Sequence, residues 1–253
     1  MYIKTYMKEL TIISYVFNEA YLLPFWLEHH SIIFDHGIII DYGSTDNSVD
    51  IIHRMCPTWE IIKTKNIKSD GSPNFQTDLI DAELIEYEKG ISGLNITLNI
   101  TEFIFSVLDK KQLLNQLKTQ VIYEIMSFSV IGKTTHTYPK NYIELLTGME
   151  VSFGENSKIY SKLLHIPNNI NTNSDNDYTD KMFILRLDQY PNNELINRNR
   201  DVNMKYCIES DFSHRDSIDT PESRIIKHTI ERHCAEYAEN NYHIELLPYS
   251  SWG

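Results

Sequence analysis

An α/β protein built on a parallel sheet is predicted by the order of apolar runs near the start of the chain. Leu10 to Phe17 and Gly37 to Ile40 are short apolar runs bounded by polar turns, the pattern of strands covered on both faces. Between them, Ala20 to His30 sets Leu22, Leu23, Trp26 and Leu27 at helical spacing, and Gly43 to Met55 opens a second helix. Each strand runs directly into small polar and acidic residues: Asn18 and Glu19 after the first, and Asp41, Gly43, Ser44, Thr45 and Asp46 after the second. In open α/β sheets ligands sit beyond the carboxyl ends of strands, where helix N-termini point their free amides.

The remaining elements follow from the same patterns. Glu60 to Lys65 reads as a third strand, Asn66 to Asn74 as a loop, and Phe75 to Glu88 as a helix. Gly93 to Ile100 reads as a strand leading into Thr101-Glu102-Phe103-Ile104, and Lys110 to Lys118 as a helix. Tyr123 to Ile131 is expected to be a strand, Tyr142 to Leu146 a short helix, Ile159 to Leu164 strand-like, and Met182 to Leu187 a strand. The polar tract Asn168 to Asp180 has few groups to bury and is expected to be a mobile loop. Two helical stretches close the chain. The second, Glu222 to Asn240, gathers Ile225, Ile226, Ile230, Cys234 and Tyr237 on one face and should dock on the sheet. In the His29-His30 pair, adjacent residues do not share one helical face, so His29 is expected to pack and His30 to be exposed.

At 253 residues, 42% of them hydrophobic and 11% aromatic, the chain can bury the core of one α/β domain with a smaller C-terminal portion. A formal charge of −12 argues against nonspecific binding to nucleic acid or anionic membranes, which needs a basic surface. An anionic ligand must therefore be met by local groups. Cys56, Cys207 and Cys234 are widely spaced and odd in number, so reduced thiols and an intracellular setting are expected. No apolar run reaches the roughly 20 residues that span a bilayer, and no signal peptide or membrane anchor is visible. The N-glycosylation patterns at Asn95 and Asn99 are read as chance. Richness in Asn, Ile, Lys and Tyr fits an AT-biased genome, of a large virus or an AT-rich microbe; a viral protein would act in the host cell or virion.

The residues beyond the first two strands suit a nucleotide sugar. An acidic side chain ending the second strand, Asp41, can accept hydrogen bonds from ribose hydroxyls or a base N–H, and Gly43 lets backbone pass close to a ligand. No GxGxxG follows the first strand, which removes the main support for a dinucleotide site. Ser44 or Asp46 can equally cap the following helix, and Asn18 and Glu19 can be an exposed turn.

Asn18-Glu19-Ala20, Leu23-Pro24-Phe25-Trp26, His29-His30 and Asp41-Tyr42-Gly43-Ser44-Thr45-Asp46-Asn47-Ser48 together resemble the N-terminal half of the family 2 and family 92 type glycosyltransferases. The resemblance covers about forty residues well and continues more weakly through Gln76, Glu102-Phe103 and Phe153 to Lys158. It implies a GT-A-like α/β three-layer sandwich with a mixed, mostly parallel central sheet over residues 1–253, with a nucleotide-sugar-binding half at 1–105 and an acceptor-side half with C-terminal helices at 106–253. The implied ligands are a UDP- or GDP-linked sugar and a glycan or glycoprotein acceptor. Asn18, Glu19, Asp41, Ser44 and Asp46 would form the donor pocket.

Enzymes of that fold end a strand with Asp-x-Asp, whose carboxylates hold Mg²⁺ or Mn²⁺ against the donor diphosphate. This chain has Asn99-Ile100-Thr101-Glu102-Phe103, so neutral residues replace both aspartates and Glu102 alone is charged. Three readings stay open: an altered metal site on Glu102, a diphosphate stabilised without metal, and an inactive relative that binds without turnover. A general base for the acceptor hydroxyl would come from Glu150, Glu155, Asp175, Asp177, Asp180 or Asp188, with Glu155 favoured by the adjacent Gly154. A late histidine serves as a metal ligand in some such enzymes, and His214 has the more suitable position than His165. A Rossmann-type methyltransferase is the remote alternative.

Overall fold

The computed structural model describes residues 9–117, 121–132, 139–151, 161–166, 177–187 and 221–240. Strand and helix alternate through the first part: β1 (Leu10–Val16), α1 (Leu23–Ile33), β2 (His36–Asp41), α2 (Ser48–Met55), β3 (Glu60–Lys63), α3 (Thr77–Glu88) and β4 (Leu94–Thr97). The four strands form a parallel sheet in the order β3-β2-β1-β4. Successive side chains of β1 leave opposite faces. Ile12 and Val16 enter a core with Trp26 and Leu27 of α1 and Ile51 and Ile52 of α2, whereas Ile13 joins Ile40, Ile80 and Leu84 on the α3 side. Helices thus cover both faces, and the expected three layers are present in this part.

Close packing on the α1 side depends on a glycine. A Cβ on Gly37 would lie 2.2 Å from ring atoms of Trp59, so only a bare backbone lets that indole lie against β2. Trp59 in turn meets Trp26 edge to face, with ring centroids 6.1 Å apart and planes at 87°.

The second part contains β5 (Glu102–Ser106), α4 (Lys110–Gln116), β6 (Tyr123–Gly132), α5 (Tyr142–Thr147), β7 (Met149–Val151), β8 (Ser161–Leu164), β9 (Asp177–Arg186) and α6 (Pro221–Glu239). Its five-stranded sheet is mixed: β6 and β9 run parallel, while the β5–β9, β6–β7 and β6–β8 pairs are antiparallel. The two sheets meet where Asn95 and His165 exchange amide bonds of 2.9 and 3.1 Å. Among the described residues no helix is long and apolar enough to cross a membrane.

Several expectations are corrected. α1 begins at Leu23, not Ala20: Ala20 to Leu22 form a turn, in which the Ala20 amide donates to Asp46 and Glu19 C=O accepts from Leu22 and Leu23. α2 begins at Ser48, not Gly43: Gly43 has a left-handed φ of +80°, outside helical geometry, and the amides of Thr45 and Asp46 that follow it are held by Asn18. The run Gly93 to Ile100 is broken by a turn after Thr97. Asp177 to Asp180, placed in a loop by their polarity, extend β9; residues 168–176 lie outside the described part. On α6 the buried stripe is Ile226, Ile230 and Tyr237, while Ile225 is 53% exposed.

His30 is the plainest correction: it is as fully buried as His29. Its Nδ1 bonds Trp26 C=O at 2.8 Å and its Nε2 faces the Ile104 amide at 3.4 Å. His29 bonds Ile104 C=O through Nε2 at 2.6 Å and Tyr142 Oη through Nδ1, and Tyr142 Oη also meets His233 Nε2 at 2.9 Å. With Nε2–H donated to Ile104, His29 Nδ1 accepts from Tyr142, whose oxygen accepts from His233. A helix enclosed by β5, α5 and α6 buries two adjacent imidazoles because each finds polar partners.

Candidate functional site

The strand order reverses at β1: its connection through α1 leads to β2 on one side, while β4, reached through α3, lies on the other. At such a reversal the loops leaving the carboxyl ends of neighbouring strands diverge to opposite faces, which is where an open α/β sheet is expected to offer a ligand crevice. The residues at this edge are Tyr15, Asn18 and Glu19 on the β1 side and Asn99, Thr101 and Glu102 on the β4 side.

Asn18 organises the β1 side. Among the described residues it is the non-glycine residue with positive φ, at 52°, a conformation Asn tolerates better than most side chains. Its Oδ1 accepts from the amides of Thr45 at 2.7 Å and Asp46 at 3.2 Å, and its own amide donates to Ser44 Oγ at 3.1 Å. Asp46 bridges back, accepting from the Ala20 amide at 3.1 Å and the Ser48 amide at 2.9 Å, and Ser48 Oγ accepts from Glu19 N–H at 2.9 Å. The loops after β1 and β2 are thus sewn into one rigid rim. Of the two residues expected to cap α2, Asp46 does so through the Ser48 amide, while Ser44 serves Asn18.

Asp41 ends β2 and is 7% exposed; its Oδ1 accepts from the Ser44 amide at 2.9 Å. Beyond it, Gly43 has φ +80°, and a Cβ there would lie 3.1 Å from Pro73 Cγ, so the loop after β3 leans on bare backbone. Glu83, buried on α3, anchors that loop by accepting from Tyr42 Oη at 2.8 Å, Thr64 Oγ1 at 2.7 Å, Lys65 N–H at 2.7 Å and Asn66 Nδ2 at 2.9 Å.

The β4 side is a closed turn. Glu102 N–H donates to Asn99 C=O at 2.9 Å and the Asn99 amide donates to Glu102 Oε2 at 2.8 Å. Trp26 Nε1 reaches up from α1 and shares its proton between Asn99 C=O at 3.1 Å and Glu102 C=O at 3.0 Å. Glu102 is 2% exposed, and both its oxygens face cations: Lys162 Nζ lies 3.3 Å from Oε2 and Arg186 Nε 3.9 Å from Oε1. Tyr15, near the end of β1, packs edge to face on Tyr42, and its phenol is pushed up to about 12 by burial first and then by the negative charges of Glu19 and Glu102.

Comparison with protein-family models and with curated protein sequences found no match. Similar solved structures include glucosyl-3-phosphoglycerate synthase from Mycobacterium tuberculosis in complex with Mn²⁺, UDP and glucosyl-3-phosphoglycerate, at 13% identity and a TM-score of 0.33 over 48% of this chain and 44% of that one. The same synthase with Mn²⁺ and UDP-glucose matches at 12% identity and 0.33 over the same shares. S. aureus TarS matches at 14% identity and 0.35 over 50% of this chain and 23% of that one. The match takes in less than half the length of each of these proteins.

The resemblance in the sequence implies a divalent ion at the β4 turn, and the residues there do not fit one. Hard cations need several oxygen ligands, preferably anionic, yet the turn offers the single carboxylate of Glu102, already set against an ammonium and a guanidinium. Among the described residues no group of three or more His, Cys, Asp and Glu is placed to hold a metal ion. Glu155 and His214 lie outside the described residues, as do Asp175 and Asp188. Of the other residues singled out, Asn18, Glu19, Asp41, Ser44 and Asp46 come together at one rim, with Asn99, Thr101 and Glu102 across the crevice. Lys162 and Arg186 were not foreseen. Each lies in an ordinary strand pattern, and only strand pairing brings them to Glu102.

A cavity of about 270 Å³ lies elsewhere, lined by Ile33, Phe105, Leu113, Arg232 and Tyr237 among others. It opens by the C-terminal end of α1, which returns toward the amino edge of the parallel sheet, and it includes none of the rim residues.

Proposed function

We propose that the chain is a GT-A-type glycosyltransferase that moves a sugar from a UDP- or GDP-linked donor to a hydroxyl of a glycan, glycoprotein or other acceptor. One observation supports this most: the segments carrying the Asn-Glu-Ala and Asp-x-Gly-Ser-Thr-Asp patterns are braced together at the point where strand order reverses. Fold alone does not assign chemistry, so the reading rests on this rim and its residues. Base and ribose would lie against Asp41 and Glu19, with Asn18, Ser44 and Asp46 holding the pocket's shape, and the diphosphate would approach the Asn99–Glu102 turn. Glu155 is the proposed general base and His214 a proposed ligand if a Mn²⁺ or Mg²⁺ ion takes part. Residues 1–105 would form the donor half and 106–253 the acceptor half of one domain.

Titration calorimetry with uridine, guanosine and their diphosphates tests the assignment. The wild type should bind one nucleotide series saturably. Asp41→Asn, which keeps an acceptor for the Ser44 amide but removes the charge, should weaken binding by about tenfold, the loss of one charge-assisted hydrogen bond. Absence of binding across both series to folded protein defeats the reading.

A second reading is a noncatalytic relative that binds nucleotide or glycan. Its motive is the replacement of both motif aspartates by Asn99 and Thr101. It predicts nucleotide binding with no diphosphate release across a panel of donors and acceptors.

A further inference from the structure

We infer that Lys162 and Arg186 form an anion site at the crevice edge that holds the donor's diphosphate in place of a divalent ion. The inference rests on the nucleotide-sugar reading above and deepens it.

The placement follows from strand pairing. His165 faces Asn95 across an antiparallel bridge, so Lys162, three residues earlier, lies level with Leu98, where β4 gives way to the Asn99–Glu102 turn. Arg186 is the cross-strand partner of Glu102 in the β5–β9 ladder. Two cations from separate strands thus reach one turn, at the carboxyl edge where a parallel sheet receives its ligands.

Lys162 and Arg186 bring two positive charges to a turn whose other side chains, Asn99 and Thr101, are neutral, with the carboxylate of Glu102 between them. Exposure sorts the charges usefully: the Glu102 side chain is 3% accessible, Lys162 27% and Arg186 21%. An arriving anion therefore meets the ammonium and guanidinium while the carboxylate stays behind them. A lysine carries three N–H donors, and among the described residues Lys162 pairs with Glu102 alone, which leaves donors to turn toward phosphate oxygens. Glu102 then acts as a positioning residue that holds both cations at the turn, with Trp26 fixing the backbone beneath it. The competing explanation is a buried ionic brace that only shapes the fold.

Calorimetry on the whole chain, in EDTA and again with Mn²⁺, separates these. In EDTA, UDP should bind about tenfold or more tighter than uridine, or GDP than guanosine, and Mn²⁺ should change that ratio by less than about threefold. Lys162→Gln and Arg186→Gln should each erase most of the diphosphate advantage while nucleoside affinity stays constant, and Lys162→Arg should keep it. Because a cation-less Glu102 can impair folding, a measurement on the wild type runs beside the variants: inorganic pyrophosphate in EDTA should displace the diphosphate and leave nucleoside binding unaffected. Diphosphate binding that disappears in EDTA and returns with Mn²⁺ overturns the inference, as does an unchanged diphosphate-to-nucleoside ratio in both folded Gln variants. Nucleoside binding that survives in either case leaves the donor reading standing, whereas loss of all binding in the wild type removes both.

Discussion

A single amide side chain, Asn18, bears much of the geometry at the rim. It combines a left-handed backbone with an oxygen that accepts from the next loop, and these contributions can be separated by substitution. Asn18→Gly should keep the backbone and lose the brace, costing about 1–3 kcal/mol in urea unfolding, for two hydrogen bonds at about 0.5–1.5 kcal/mol each. Asn18→Ala should cost more, since Cβ adds strain at positive φ. Asn18→Asp, which keeps the acceptor, should be the mildest. Trp26→Phe is expected to cost a similar 1–3 kcal/mol, roughly, and to weaken diphosphate binding, because the indole N–H is shared by the turn's two carbonyls. The sequence marks Asn18 and Asp46 as loop residues beside strand ends. Their brace is not readable there, because its partners are 26 to 28 residues away and local pattern carries no information about them.

At the level of elements, kind was more legible than limits. The alternation of apolar runs located every strand of the parallel sheet, yet α1 and α2 start late, after loop residues that are tied to each other across the rim. α6 shows how a buried polar seam escapes hydrophobic patterning. His233 stands on its buried side and bonds Tyr142; Tyr237 donates to Glu28; and Arg232 donates to the carbonyls of Val107 at 2.6 Å and Ser106 at 2.7 Å. Burial lowers His30 to about 3 and His233 to about 4, Arg232 adding to the latter, and it lowers His29 well below the ordinary value, helped by the charges of His30 and His233. Depressed folded values mean that the unfolded chain binds more protons between its ordinary value near 6.5 and pH 4. Stability should be flat in this respect above pH 6.5 and fall on acidification by up to about 1.4 kcal/mol per pH unit for each histidine. Urea midpoints at pH 7, 6 and 5 check this, and His233→Gln should flatten the slope. Tyr142, Glu28, Arg232 and Glu236 also line this seam.

Across the molecule as described, Asn95 and His165 exchange a pair of amide bonds that ties the parallel sheet to the mixed sheet, three residues short of the turn that follows β4. The α/β class was legible because a doubly covered sheet needs continuous apolar strands. The assembly of Lys162, Arg186 and Glu102 was not, since it arises from long-range pairing of β4, β5, β8 and β9. Core tolerance is likewise set by tertiary contact: Gly37→Ala should destabilise the fold by about 1–3 kcal/mol through overpacking against Trp59, read as a lowered thermal midpoint, and Trp59→Leu in the same chain should recover part of it.

The edge-to-face indoles of Trp26 and Trp59 also give the protein a built-in optical reporter. Two chromophores held 6.1 Å apart at a fixed angle couple their transitions, and one of them is hydrogen-bonded to the turn that faces the crevice. A near-ultraviolet dichroism band from this pair would register any shift of that turn directly, without a label.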